Sequence, residues 1–173
     1  MISSLVPSPA HLINKACRSG RLVRDEWQST ADTVIAALDD PPKWILYLAT
    51  ADTVEEACDA TGFQLFDEEM QMNFSGADLC GFSMAAYLKD RISLRRFMHQ
   101  LMTEGTAEYG TMQPDHEILE VAWADLEKHS LSAQILQEVL QMIQPAYELA
   151  ELKLLTLTNM APIKNIEQQP RRL

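Results

Sequence analysis

The four histidines are the first residues to test for chemistry, because histidine binds metals and exchanges protons near neutral pH. Helical di-iron sites use the spacing Glu-x-x-His, which places both ligands on one face of a helix. The residues three positions before the histidines are instead Ser8, Arg96, Gln113 and Leu126. The zinc-protease motif His-Glu-x-x-His is absent too, since His116-Glu117 is followed by Ile118, Leu119 and Glu120. The sequence therefore predicts no metal site and no cofactor.

The candidate nucleophiles are equally weak. The segment from Gly81 to Ala85 is close to the Gly-x-Ser-x-Gly elbow, which would make Ser83 a nucleophile. That elbow needs a strand before it and a helix after it, whereas the residues around Ser83 have helical spacing throughout. The three cysteines form no Cys-x-x-Cys motif, and we expect Cys17 and Cys80 to be buried, inert thiols. The sequence predicts no catalytic residue.

One group of residues is compatible with an enzymatic function. His116 and Glu120 lie four residues apart on one predicted helix, as do Asp125 and His129. Such pairs are more typical of surface hydrogen bonds than of ligands. A small enzyme that uses His116, Glu120 and His129 is the third hypothesis, and it requires a pocket where polar groups converge.

Charge is the strongest feature of the sequence. The 173 residues include 25 Asp and Glu against 14 Lys and Arg, which gives a formal net charge of −11. The first 24 residues hold four basic residues and no acidic one, whereas residues 25–90 hold 14 acidic and two basic residues. This balance argues against nucleic-acid binding, because neutralising phosphates requires a basic surface.

The densest part of the acidic segment predicts a surface that binds a basic protein partner, since opposed potentials speed association and select partners. Its residues are Glu55, Glu56, Asp59, Asp67, Glu68 and Glu69. The alternative is a solvated surface that keeps the protein soluble. Trp44 is a candidate anchor for the same partner, because it follows the corner Asp39-Asp40-Pro41-Pro42-Lys43 directly. Packing in the core is the default for this tryptophan.

Apolar residues recur at helical spacing along most of the chain. They predict an all-α single domain of about seven to nine short antiparallel helices. We expect the domain to span residues 1–160 and residues 161–173 to form a flexible tail. Thr53 and Glu56 form a capping box, and Ser93 and Ser132 are predicted helix caps.

Two breaks and one alternative accompany this prediction. The helix that starts after Thr53 is expected to stop at Gly62, and Pro145 is expected to kink or split the last helix. The fold would be α+β if Phe63–Phe66 and Leu154–Thr158 paired as strands.

Part of the chain resembles known proteins. The residues that carry the likeness are Gly20-Arg21-Leu22, Asp25-Glu26-Trp27, Leu38 to Ile45 and Leu48-Ala49. This stretch, within residues 10–60, is similar to the opening of small uncharacterised bacterial helical proteins, some of which resemble immunity proteins of interbacterial toxin systems. The resemblance is one of packing and implies no functional residue.

These observations favour a non-enzymatic acidic protein that binds a basic partner, with a toxin-neutralising immunity protein as its sharpest form. The second hypothesis is a structural or regulatory subunit that forms a homodimer through the apolar face from Ile135 to Leu157. Residues 1–10 show no signal-peptide pattern, and the longest apolar run, Trp44–Ala49, is far shorter than the ~20 residues of a membrane span. We therefore expect a cytoplasmic protein with no membrane partner.

Overall fold

Helices joined by short turns make up the described structure. The computed structural model describes residues 9–68, 76–104 and 116–159. These ranges contain eight helices and no strand. The helices are α1 (Pro9–Ser19), α2 (Arg24–Ala37), α3 (Lys43–Thr50), α4 (Val54–Glu68), α5 (Gly76–Leu88), α6 (Leu94–Glu104), α7 (His116–Glu127) and α8 (Ala133–Asn159). The all-α prediction is confirmed, and the α+β alternative is wrong because both candidate strands are helical.

Side-chain caps start several of the helices where the sequence predicts them. Thr53 Oγ1 accepts the N–H of Glu56 at 3.2 Å, and Glu56 Oε2 accepts the N–H of Thr53 at 3.3 Å. This reciprocal pair is the predicted capping box at the start of α4. The hydroxyls of Ser93 and Ser132 each accept a backbone N–H three residues later, at 3.2 Å. These bonds satisfy donors that the first helical turn leaves unpaired.

Left-handed residues end three helices. Gly20, Asp90 and His129 follow α1, α5 and α7 with φ angles of 86°, 54° and 56°. The N–H of Arg91 then bonds to Ala86 O at 2.9 Å, and the N–H of Ser130 bonds to Asp125 O at 2.8 Å. These are Schellman-type closures, which turn the chain sharply and satisfy the last carbonyls of each helix.

Two clusters of buried side chains form the core, and α5 and α8 contribute to both. The first cluster lies among α1–α4 and includes Phe82 of α5 and Leu154 of α8. The second lies among α5–α8 and includes Met84 of α5 and Ile143 of α8. Because α5 and α8 supply residues to each cluster, their packing joins the two halves of the described chain.

The approach of α5 to α8 is unusually close at Gly81. A Cβ atom built on Gly81 would lie 2.3 Å from the carbonyl oxygen of Ala146 and 2.8 Å from the Cβ of Ala150. Only glycine fits there, since atoms at these separations overlap. Asp78, one turn earlier in α5, pairs with Lys153 of α8 at 2.6 Å. The order of contacts is therefore reversed along the two helices, as in an antiparallel pair.

Ion pairs fix the turns around this helix pair. Arg91, after α5, makes two hydrogen bonds to the carboxylate of Glu26 in α2, at 2.7 and 2.8 Å, and also donates to the carbonyl of Arg21. Arg21 in turn makes a two-bond pair with Glu151 of α8, at 2.5 and 3.0 Å. Burial opposes the charge on Glu26, but hydrogen bonds from Arg91 and the Val23 N–H outweigh it and hold the pKa of Glu26 below its ordinary value.

The predicted helix end at Gly62 is wrong, and the last helix is not split at Pro145. α4 runs through Gly62 to Glu68, and α8 continues through Pro145 without splitting. A single glycine in a helix costs only about 1 kcal/mol relative to alanine, so the flanking residues can carry α4 past it. Within the described ranges, no helix is long and apolar enough to cross a bilayer.

Gly81→Ala should lower the free energy of unfolding by about 2 kcal/mol or more, because the added methyl group overlaps the backbone of α8. Gly62→Ala is the matched control, since a Cβ there meets nothing within 4 Å. We expect Gly62→Ala to raise stability by up to about 1 kcal/mol. Urea unfolding followed by circular dichroism measures both changes, and equal effects of the two substitutions would contradict the close approach.

The decrease in the free energy of unfolding at low pH should depend on Glu26. Because its folded pKa is lowered, Glu26 contributes stability that is present above the unfolded pKa of about 4.3 and is lost as pH falls through the folded pKa. Glu26→Gln should cost about 1 kcal/mol at pH 7 and progressively less below about pH 4. In an Arg91→Met background, Glu26→Gln should have little effect on stability at pH 7 or below about pH 4. If Glu26→Gln costs as much there as in the wild-type protein, the pair of Arg91 with Glu26 is not the cause of the stabilisation.

Candidate functional site

The predicted acidic surface is partly assembled on α4. Glu55, Glu56 and Asp59 lie in its first two turns and are all exposed. Asp67 and Glu68 belong to the last turn of the same helix, although their side chains lie outside the described part, and Glu69 lies outside the described residues altogether. Because α4 continues through Gly62, these two groups are on one helix, separated by about 12 Å of helical rise between Asp59 and Asp67.

Glu55 and Asp59 form the centre of the candidate site, which we call the α4 acidic pair. They are four residues apart, so their side chains are neighbours on one face of the helix. No cation of the described ranges forms an ion pair with either carboxylate. Like charges at this spacing destabilise a helix by about 0.2–0.5 kcal/mol. Glu55 lies in the first turn, where the helix dipole favours an acid, whereas Asp59 lies beyond it.

Glu56 has a different role from its neighbours. Its Oε2 accepts the backbone N–H groups of Asp52 and Thr53, at 2.7 and 3.3 Å. The carboxylate is therefore occupied in capping α4 and is also favoured by the helix dipole. We assign Glu56 to the fold, whereas Glu55 and Asp59 have no ion pair to a cation of the described ranges.

Basic residues of neighbouring helices act near the start of α4. Arg24 of α2 forms an exposed pair with Asp52 at 2.6 Å, just before α4. Cys58, in the second turn of α4, is half-buried. Burial raises the pKa of its thiol; Arg18 lowers that pKa, Asp59 and Glu55 raise it, and Lys15 lowers it. Charges of α1 and of the acidic pair therefore both act on this thiol.

Exposed carboxylates of α2 and the segment after it extend the acidic character of this half of the chain. They are Asp25, Asp32, Asp39 and Asp40, and none has an ion pair within the described residues. Trp27 Nε1 and Gln28 Nε2 both donate to the carbonyl of Ala51, at 3.0 and 2.9 Å. These bonds hold α2 against the segment that leads into α4.

The structure places Trp44 in the core. Its exposed fraction is 9%, and it packs in the first cluster with Ile45 and Leu48 of the same helix. This is the default that the sequence favoured for it. A buried indole has little surface to offer a partner, so Trp44 takes no further part in the candidate site.

The structure describes the residues of the enzymatic hypothesis only in part. Glu120 is exposed on α7, whereas His129 is an exposed left-handed residue in the turn that follows. The side chain of His116 lies outside the described part. In the ranges that the structure covers, no group of three His, Cys, Asp or Glu residues is arranged to hold a metal ion.

The weak nucleophile candidates are structural in this fold. Ser83 is fully buried in α5, and its hydroxyl donates to the carbonyl of Leu79 at 2.7 Å. The residues directly before Ser83 belong to the same helix, so the strand-to-turn geometry of the elbow is absent at this position. Burial, followed by the nearby Cys58, raises the pKa of the Cys17 thiol, and a protonated thiol is a poor nucleophile.

The structure also shows an exposed apolar feature on α8 that the sequence pattern did not distinguish from the buried face of the same helix. The predicted apolar face from Ile135 to Leu157 contains both buried and exposed residues, and the exposed ones include Leu149, Leu152 and Leu155. Their spacing of three along the helix could have identified them as a stripe of their own, distinct from the buried Ala146, Ala150 and Leu154.

Alanine substitutions should distinguish the structural role of Glu56, which caps α4, from the role of the α4 acidic pair. Glu56→Ala should lower the free energy of unfolding by about 1 kcal/mol, because two backbone N–H groups lose their acceptor. Asp59→Ala should raise it by about 0.5 kcal/mol, because alanine is the better helix former and the like-charge repulsion is removed. Urea denaturation at neutral pH measures both, and a destabilising Asp59→Ala would show that Asp59 serves the fold.

Comparisons of the chain with protein-family models, with curated protein sequences and with solved structures yield no match.

Proposed function

We propose that the protein is a non-enzymatic binding protein whose α4 acidic pair docks a basic surface of another protein. The observation that carries the proposal is that Glu55 and Asp59 are exposed neighbours with no ion pair to a described cation. Carboxylates that repel each other on one helix face, and that have no ion pair to a described cation, are available for an external cation.

Electrostatics sets what such a surface can do. Two unit charges 4 Å apart in water interact by only about 1 kcal/mol, so the pair alone gives weak binding. Its larger effect is on the rate of association, which complementary potentials raise by about 10–10³-fold. The exposed aspartates of α2 strengthen the same field, and the partner must add contacts of its own to form a stable complex.

The free cysteines support a cytoplasmic location as part of the same proposal. The three cysteines are free, and Cys17 and Cys80 are buried. Reduced thiols suit the cytoplasm, where we place the protein with its partner.

Charge reversal tests the proposal directly. The tagged protein is used to capture partners from its native lysate at low and high salt, and bound proteins are identified by mass spectrometry. We expect one basic protein in stoichiometric amount, released by high salt because screening weakens exposed charge pairs. The variant Glu55→Lys with Asp59→Lys should lose most of this protein.

The matched control is Glu120→Lys with Glu138→Lys, which changes the net charge equally at exposed positions of α7 and α8. It should retain the partner. Equal loss in both variants would mean that overall charge, not the α4 acidic pair, governs binding. Full retention by the α4 variant at low salt would overturn the proposal.

The finer form of the proposal is an immunity-type protein that neutralises a bacterial toxin. It is supported by the resemblance of the stretch within residues 10–60 and by the acidic surface, which suits a basic toxin. We expect the captured partner to arrest growth when it is expressed alone and to be harmless when it is co-expressed with this protein. A partner without toxicity would contradict the immunity role but would still support the binding function.

A further inference from the structure

Helices α1 and α4 pack against each other, and each brings a free cysteine to the first cluster of buried residues. Cys17 of α1 is fully buried in this cluster, and the half-buried Cys58 of α4 packs against it. Their neighbours Ala16, Ala57 and Ala60 add only methyl groups to the same cluster. Small side chains at a helix contact let the two backbones approach closely.

A side-chain bridge shows how near α4 lies to α1 at Cys58. Asn14 Nδ2 donates to the carbonyl oxygen of Cys58 at 3.2 Å and to Thr61 Oγ1 at 2.9 Å. An asparagine has a single methylene group between its Cα and its amide, so the two backbones are close at this point. Cys17 follows Asn14 by three residues, which places both side chains on one face of α1. The thiol of Cys17 therefore belongs to the face of α1 that contacts Cys58.

The electrostatic environment distinguishes the two thiols. Burial is the main cause that raises the pKa of Cys17, and the charge of Cys58 is the second. Because Coulomb interactions weaken with distance, the second cause indicates that the two side chains are neighbours. Burial also raises the pKa of Cys58, but the cation that opposes it most is Arg18. Cys58 is thus the more accessible thiol and has a nearby cation that favours its thiolate.

We propose that Cys17 and Cys58 form a reversible disulfide when the protein meets a low-molecular-weight disulfide such as oxidised glutathione, so that α1 is joined covalently to α4. The thiolate of Cys58 attacks one sulfur of the oxidant, forms a mixed disulfide and releases one thiolate. Cys17 then loses its proton and attacks the sulfur of Cys58, which releases the second thiolate. The two protein thiols are oxidised, and their protons end on the two thiols to which the oxidant is reduced.

This redox switch goes beyond the proposed binding function and does not depend on it. Cytosolic disulfides are usually transient and sense redox conditions, which agrees with a link that forms only when an oxidant is present. A link between positions 17 and 58 closes a loop of about 40 residues and restricts the unfolded chain. It should lower the equilibrium constant for unfolding by roughly 30- to 900-fold.

Mass spectrometry of the oxidised protein tests the disulfide. The folded protein is incubated with oxidised glutathione, quenched with acid, alkylated at its remaining thiols and mapped by peptides. We expect a product that has lost two hydrogen atoms, that links the peptides of Cys17 and Cys58, and that dithiothreitol reduces. Urea unfolding should show the lower equilibrium constant. A glutathione adduct that persists on Cys58 while Cys17 remains a thiol, or a link that forms only in urea, would overturn the proposal.

Alanine variants assign the two steps of the oxidation. Cys17→Ala should stop at the mixed disulfide on Cys58, and Cys58→Ala should form no disulfide within the chain. Cys80→Ala is the matched control, because Cys80 is also buried but belongs to the second cluster, and this variant should still form the link. Circular dichroism confirms that each variant is folded. Loss of the internal disulfide in Cys80→Ala, or its formation in Cys17→Ala or Cys58→Ala, would overturn the assignment.

Discussion

The close approach of α5 and α8 at Gly81 is the constraint on which the rest of the structure depends. The absence of a side chain there lets α5 lie almost in contact with the backbone of Ala146. Neighbours of Gly81 then point into both clusters of buried residues, Phe82 into one and Cys80 into the other. A bulkier residue at this point would separate the helices and loosen both clusters at once.

The same helix pair determines where the cations of the chain are used. Lys153 pairs with Asp78, which is 2% exposed, and Arg21 pairs with Glu151 of α8. Arg91 holds Glu26 at the turn after α5. A buried carboxylate without such a partner would be costly, so these basic residues are committed to the fold. In a chain with 25 acidic and 14 Lys or Arg residues, several exposed carboxylates have no ion pair to a cation of the described ranges. Glu55 and Asp59 are two of them.

Local features were predictable from the sequence, because they depend on residues a few positions apart. The capping box of Thr53 and Glu56 and the caps at Ser93 and Ser132 are of this kind. The predicted end at Gly62 was wrong, and α8 is not split at Pro145, because the propensity of one residue does not outweigh that of the helical residues around it. The pair of Arg21 with Glu151 joins residues 130 positions apart, and no local pattern identifies such a partner. For the candidate site, composition located the acidic segment and the capping pattern marked Glu56, but only the structure shows that Glu55 and Asp59 are exposed without an ion pair to a described cation.

Zero-length carbodiimide cross-linking is the most direct test of the acidic pair as a docking surface, because it joins a carboxylate to an amine only where the two are in contact. The reagent is applied to the protein in its native lysate at low salt, and the linked peptides are identified by mass spectrometry. The predicted result is a set of cross-links from Glu55 or Asp59 to lysines of one basic protein, absent at high salt. Cross-links to a partner that arise only from carboxylates elsewhere, such as Glu120 and Glu138, would contradict it.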